Sequence, residues 1–362
     1  MHFIALSFYN FRNLETTQKI DCDAKKVFLI GNNGTGKTNF LDIVYTLCYG
    51  SSFKALDRDN AQYGTNNWKL SGIKSNDKLF DTITVSWNSN TGKQYYLNEK
   101  QIHDRKYLIS INPAILFSYE DLAFVKGSHE ARRVFIDQTA SLCSDDYIET
   151  LRNYKKILKL RNFSLKTQNL ALLDIYTEQL AHFAFDLVQK RKFVIAELSE
   201  IFSDTVFKIT NGLCKLSLHY KASLDETSVN DFVEHIEKLR DRELLAGMTL
   251  KGPHRDRIEF LDAIGDFSER ASMGQLRSIA LSLRIAQSLI FSKFRGTNPV
   301  HLYDDVLLEL DYEKRIQFIQ HLPPSSQSFF TFLPTEPYND YIDDKTILIE
   351  VTNGKFIHRN SI

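Results

Sequence analysis

Residues 27–38 read VFLIGNNGTGKT, an apolar run that passes directly into a glycine-rich loop. Val27, Phe28, Leu29 and Ile30 would be apolar on both faces of a strand, the pattern of a buried central strand. Beyond the loop, Leu41, Val44, Leu47 and Cys48 recur at helical spacing, and Gly50 supplies a C-terminal stop. Strand, glycine-rich loop and helix in this order predict an α/β core with the loop at a strand end.

The loop has the form GxxxxGKT, which points to phosphate. Gly31, Gly34 and Gly36 let the backbone N–H groups of the loop, those of Asn32, Asn33 and Thr35 among them, turn inward around β- and γ-phosphates that a Cβ would obstruct. Lys37 reaches the same phosphates. The Thr38 hydroxyl on the first helical turn can coordinate Mg²⁺, and the helix N-terminus favours an anion. The expected cofactors are ATP and Mg²⁺. A loop of this kind needs a carboxylate at the end of a neighbouring strand. Residues 301–305, HLYDD, supply one: Asp304 for the metal, directly or through water, and Asp305 to orient or deprotonate the attacking water. The same two acids could instead cap a following helix.

Outward from this centre, residues 3–8 and 82–87 alternate as strands. The second turns through residues 88–92 and returns along 94–97, so an antiparallel layer is expected beside the nucleotide fold. From residue 128 to about 202 strand signals vanish, and Leu180, Ala184, Leu187, Arg191, Val194 and Leu198 mark one face of a long helix. Within this stretch Arg152, Lys155, Lys156, Lys159, Arg161 and Lys166 follow one another without an acid, either a solvated helix face or a phosphate-contacting surface. A strand over 213–220, a helix over 229–246, a helix from near Gln275, a strand over 300–303 and a hairpin turning at Asn353 and Gly354 complete the reading. No repeats are evident. The expected division is a P-loop lobe over 1–118, a mainly helical lobe over 119–270, and a return to the ATPase lobe over 271–362.

Composition limits the function classes. The 362 residues are 43% hydrophobic and 25% charged, ordinary values for a globular protein. Lys plus Arg and Asp plus Glu stand at 45 each, so any nucleic-acid surface must be a local patch. Four cysteines without a CxxC pair argue against zinc and a disulfide framework. The N-terminal stretch lacks the pattern of a signal peptide, and residues 278–291 are too polar to span a bilayer. A cytoplasmic protein without a membrane partner is expected.

Six separated elements together resemble the RecF family of bacterial recombination-mediator ATPases, related to the head domains of SMC-like and ABC-type ATPases. They are FRN at 11–13, GNNGTGKT, EDLAFVKGSHEARRVFID at 120–137, GPHRD at 252–256, SMGQ at 272–275 and LYDDVLLELD at 302–311. The resemblance runs nearly end to end. It implies an ABC/SMC-head-like fold with a mixed sheet, an antiparallel β layer and a helical second lobe.

It also implies that Ser272, Gly274 and Gln275 form a signature contacting the γ-phosphate held by the P-loop of a second chain, that Asp311 lies in the D-loop at that junction, and that Arg12 lies near the nucleotide. ATP would then hold a two-fold dimer together and hydrolysis release it. Taken alone, Ser272 reads as a helix N-cap and Arg12 as a surface charge.

By the same resemblance the protein is a weak, DNA-stimulated ATPase in DNA replication, recombinational repair and the SOS response. It would bind duplex and gapped DNA without sequence preference, work with RecR and RecO, and promote loading of recombinase (RecA). Candidate DNA contacts are Lys54, Arg58, Arg132, Arg133, Arg152, Lys155 and Lys156; Arg132 and Arg133 could equally pair with acids between the lobes. Met273 stands where glutamine is usual, Leu308 where serine is usual, and Thr331 where ABC transporters carry a switch histidine. These departures bear on hydrolysis rate and keep a non-hydrolysing, ATP-dependent scaffold as a reading. The nucleotide-binding subunit of a membrane transporter is another, opposed by the basic helical insertion and by GPHRD.

Overall fold

The computed structural model describes residues 2–16, 19–76, 79–308 and 310–359. The chain divides into two compact units. One comprises Met1–Tyr119, Arg295–Ile316 and Leu322–Ile362, the other Glu120–Phe294 and Gln317–His321. The expected return to the ATPase lobe at 270/271 therefore differs from the structure, where the chain changes unit between Phe294 and Arg295. The reason lies in packing: Leu276, Ile279, Leu283 and Ala286 of the helix Met273–Arg295 are buried in the core of the helical unit.

The first unit, called the nucleotide unit for the ligand expected at its glycine-rich loop, is built on a six-stranded sheet in the order Lys355–Arg359, Thr346–Thr352, Lys26–Ile30, Gln327–Phe332, Val300–Tyr303, Ala114–Phe117. All neighbours run parallel except the outer pair at the hairpin. Val300–Tyr303 and Gln327–Phe332 are buried at every position, as strands covered on both faces must be. A second six-stranded sheet, wholly antiparallel, runs Lys19–Asp21, His2–Tyr9, Asn67–Asn76, Leu79–Asn88, Gly92–Leu97, Lys100–Ile102.

Between the two sheets lies the helix Lys37–Tyr49, whose Phe40, Leu41, Val44 and Leu47 enter a core shared with Phe3, Leu70, Val85, Leu29 and Phe329. Gly72 permits this approach, because a Cβ there would stand 2.7 Å from the Phe3 ring and 2.9 Å from Leu47 Cδ1. Buried Gln327 staples the layers: its Oε1 accepts from Phe3 N at 2.8 Å, while its Nε2 donates to Phe3 O, Cys22 O and Ala24 O. The helix ends at Gly50 in the left-handed conformation (φ 68°), where the sequence puts its stop.

The helical unit contains the helices His129–Cys143, Asp145–Lys166 and Leu173–Ile209, with the antiparallel pair Ser217–Lys221 and Arg257–Leu261. Two readings change here. The helix expected over 229–246 is two, Val229–Lys238 and Arg240–Ala246, broken at Leu239, and the second carries buried Glu243 to Arg161. The strand expected from Leu213 begins only at Ser217, since Asn211 and Gly212 adopt positive φ in a turn just before.

Candidate nucleotide site

The loop 31–38 leaves the carboxyl end of Lys26–Ile30, the edge of a parallel sheet where ligands bind in α/β folds. Its glycines are required for stated reasons. A Cβ on Gly31 would lie 2.3 Å from Val351 O, and one on Gly36, at φ 116°, would lie 2.7 Å from Leu14 Cδ2. The hairpin turn braces the loop from behind, Gly354 N donating to Thr35 O at 2.9 Å. Asn32, Asn33 and Gly34 are exposed at the tip, and Thr35 Oγ1 donates to Asn32 O at 2.9 Å. Lys37 is buried, its Nζ donating to Gly31 O at 2.8 Å and Asn32 O at 3.1 Å. The ammonium thus lies inside the curve of the loop.

Thr38 Oγ1 donates to Asp304 Oδ1 at 2.9 Å, which brings together the two oxygens that the sequence assigns to the metal. The strand Gln327–Phe332 intervenes between the P-loop strand and Val300–Tyr303, and its Thr331 links the acids. Thr331 Oγ1 donates to Asp305 Oδ1 at 2.8 Å and accepts from Asp305 N at 2.8 Å. Burial pushes the Asp304 carboxyl up to about 6, opposed by the Thr38 hydrogen bond and aided by neighbouring Asp305. Sequence reasoning read Thr331 only as the absence of a histidine, because which strand lies between two others is not written in the local pattern.

Arg12 is not a loose surface charge. Its guanidinium donates to Asn39 Oδ1 at 2.7 Å, Asp42 Oδ2 at 2.5 Å, Ser52 Oγ at 3.1 Å and Asn60 Oδ1 at 2.8 Å. It fastens the first turns of the P-loop helix to the segment that follows that helix. Asp42, fully buried on the helix, is the partner that sequence reading passed over.

In the helical unit, Ser272 and Gln275 form a reciprocal capping box: Gln275 N donates to Ser272 Oγ at 3.3 Å and Ser272 N to Gln275 Oε1 at 2.9 Å. Both side chains remain exposed, as does Met273, with Gly274 half-buried between them. Asp311, also exposed, accepts from Lys314 N at 2.9 Å at the start of the helix Tyr312–Gln320, and Lys314 holds its carboxyl below the usual range.

The candidate DNA contacts separate into two groups. Arg132 is buried in the helical unit, donating to Ile258 O, Val125 O and Ser268 Oγ, each at 2.8 Å, and lying over the Phe260 ring. Its acid, Asp266 at 3.4 Å, belongs to the same unit, so Arg132 is neither a DNA contact nor an inter-lobe pair. Half-buried Arg133 donates to Asp256 O at 2.7 Å. Arg161 of the basic run is buried and paired with Glu243 at 2.7 Å. By contrast Lys54, Arg58, Arg152, Lys155, Lys156, Lys159 and Lys166 are exposed, Arg58 with Asp59 at 3.4 Å. Among the described residues no helix is long and apolar enough to cross a membrane.

The family model for the RecF/RecN/SMC N terminal domain matches residues 3–354. A curated relative, the DNA replication and repair protein RecF of Treponema pallidum (strain Nichols), is 38% identical over 347 residues, covering 95% of this chain and 98% of the relative. Among solved structures, the recombination mediator RecF with ATP is similar with a TM-score of 0.89 at 24% identity, covering 99% of this chain and 98% of that one. An Smc head bound to the C-winged helix domain of ScpA is similar with a TM-score of 0.57 at 15% identity, covering 99% and 98%. At these identities the structural likeness shows the fold.

Proposed function

The chain belongs to the RecF family of DNA replication and repair proteins, and on that premise we propose that it is an ATP-dependent, DNA-binding dimer. It acts in the cytoplasm at single-strand gaps and duplex–single-strand junctions, with RecR and RecO, to promote RecA loading in recombinational repair and the SOS response. Family membership sets aside the transporter-subunit reading. The observation that carries the nucleotide part is the Thr38–Asp304 hydrogen bond, which joins the loop to the acidic strand end at 2.9 Å.

The donor set fits Mg²⁺. A hydroxyl and a carboxylate are hard oxygen ligands, and Mg²⁺ characteristically takes one or two from protein and the rest from water and phosphate. Among the described residues no group of three or more His, Cys, Asp and Glu side chains could hold a metal ion. Thr38 and Asp304 would hold it, and when bound it supplies positive charge to the β- and γ-phosphate oxygens.

The chain's own groups do the remainder. Lys37 gives up loop carbonyls for phosphate oxygens, the backbone N–H groups of residues 32–38 fix the phosphates, and Asp305, held by Thr331, orients the attacking water. Ser272, Gly274 and Gln275, with Asp311, complete the site of a second chain. Arg12 acts by holding the P-loop helix. Turnover is weak and stimulated by DNA.

The DNA surface is the exposed face of Asp145–Lys166. Arg152, Lys155, Lys156, Lys159 and Lys166 lie at offsets of three, four, seven and fourteen from the first, one side of a helix over about 21 Å. Lys54 and Arg58 form a second exposed patch in the nucleotide unit. Such cations contact phosphates without reading sequence.

Sedimentation velocity with and without ATP, Mg²⁺ and gapped DNA tests the whole. ATP is expected to convert monomer to dimer, and Lys37→Ala to abolish the conversion. Asp305→Asn is expected to trap the ATP-bound dimer. A Lys37→Ala chain that still dimerises with ATP would overturn the composite site.

A further inference from the structure

Glu336 follows the strand Gln327–Phe332 by a short turn, and that strand has a particular place. Phe332 pairs with Ile30 on one side and Phe330 with Tyr303 on the other. The chain leaving Phe332 therefore emerges between Gly31, where the P-loop begins, and Asp304. Gly31 N donates to Phe332 O at 3.1 Å, fixing that exit. The turn folds back on itself, with Leu333 N donating to Glu336 Oε2 at 2.6 Å and Glu336 N to Leu333 O at 3.1 Å.

One carboxylate oxygen is thereby held, and the other is not. Glu336 is 9% exposed, and its Oε1 is buried without a hydrogen-bond partner. Buried polar atoms are nearly always paired, so an orphaned acceptor beside a nucleotide loop needs a donor that arrives later. The charges acting on this carboxyl are Arg315, Asp305 and Lys37, and the Tyr341 phenol also lies within its field. Two of them, Lys37 and Asp305, belong to the site already described. Burial raises the Glu336 carboxyl above its ordinary range, which suits a proton acceptor better than an ordinary surface glutamate. Asp305, in contrast, already commits Oδ1 to Thr331.

We propose that Glu336 is a second carboxylate of the hydrolytic centre, its Oε1 accepting a hydrogen bond and then a proton from the water that attacks the γ-phosphorus. The inference rests on the reading of this site as an ATPase. In the step, the water oxygen forms a bond to the γ-phosphorus and the bond from that phosphorus to the β–γ bridging oxygen breaks. ADP leaves with the bonding pair, and the proton lost by the water ends on Glu336. Asp305 orients the same water, so the two acids divide the work of positioning and proton acceptance.

The test compares full-length wild type, Glu336→Gln and Glu336→Asp with ATP, Mg²⁺ and duplex DNA. It measures affinity for a fluorescent ATP analogue and phosphate release in a single turnover. Glu336→Gln keeps the shape and the Leu333 contact, and should bind the analogue within about threefold of wild type while releasing phosphate at least about tenfold more slowly. Glu336→Asp, which withdraws the oxygen by one methylene, should also slow release without losing affinity, and it decides the matter if the Gln variant does not fold. Phosphate release within about threefold of wild type in a folded variant overturns the assignment, as does loss of analogue binding in both. Wild type that binds ATP and releases no phosphate overturns the ATPase reading together with this one. Normal release by wild type and by Glu336→Gln alike overturns the role of Glu336 alone.

Discussion

Two pairs of aspartates, one in each unit, are provided for in opposite ways. In the helical unit Asp137 and Asp256 share Arg191, whose Nη2 lies 2.9 Å from the first and Nη1 2.9 Å from the second. Tyr147 adds a bond to Asp137, and Tyr220 and Ser223 N add two to Asp256. In the nucleotide unit, among the described residues, no guanidinium pairs with Asp304 or Asp305. Thr38 and Thr331 hydroxyls are the donors that hold them. The first pair is closed and serves the fold. The second has hydroxyls for partners, the arrangement that the proposed cation and water require.

The closed pair should show the largest effect when broken. Arg191→Leu leaves two carboxylates buried without their cation, and is expected to cost about 3 to 5 kcal/mol in urea unfolding. A loss below about 1 kcal/mol would mean that the helical unit does not depend on this bracket.

The open pair should respond with the opposite sign. Asp304 has a folded pKa raised to about 6 from an ordinary 3.8, so between those values the folded state holds more protons than the unfolded state. Stability of the ion-free protein therefore falls as pH rises from 4 to 6 and stays reduced above. Asp304→Asn should stabilise it by roughly 1 to 3 kcal/mol at pH 8 and leave it unchanged at pH 4. The same variant should lose Mg²⁺-dependent ATP binding. Calorimetry at the two pH values checks the first expectation, and destabilisation at pH 8 would close the contrast between the pairs.

The smallest effect on folding belongs to the exposed lysines. Joint replacement of Lys155, Lys156 and Lys159 by Ala should move stability by less than about 0.5 kcal/mol. The slope of log affinity for duplex DNA against log salt should flatten by about one for each phosphate contact removed. An unchanged slope would leave this helix face with no more than solvation to do.

What could be read from sequence was what depends on neighbouring residues. Strand, loop and helix around residues 27–49 follow from local spacing, and so does the turn at Asn353 and Gly354. The acids at 304 and 305 were legible because a P-loop demands them at a strand end. Arg132 was not, since a buried arginine bonded to carbonyls has the same letter as one facing DNA. Arg161 is the same case within the basic run, where only the fold reveals Glu243 opposite it. Thr331 and Glu336 depend on strand order, which sets Gln327–Phe332 between the loop and the acids.

That strand order has a further consequence for how the protein is made. The loop at residues 31–38 rests against Val351 and Gly354, so a ribosome that has delivered the loop, its helix and the whole helical unit has still not delivered the wall behind it. The nascent chain would carry every loop residue proposed to bind phosphate long before the loop was braced. On the proposed function, competence for nucleotide would arrive late in translation, when residues 346–359 add their strands to the sheet.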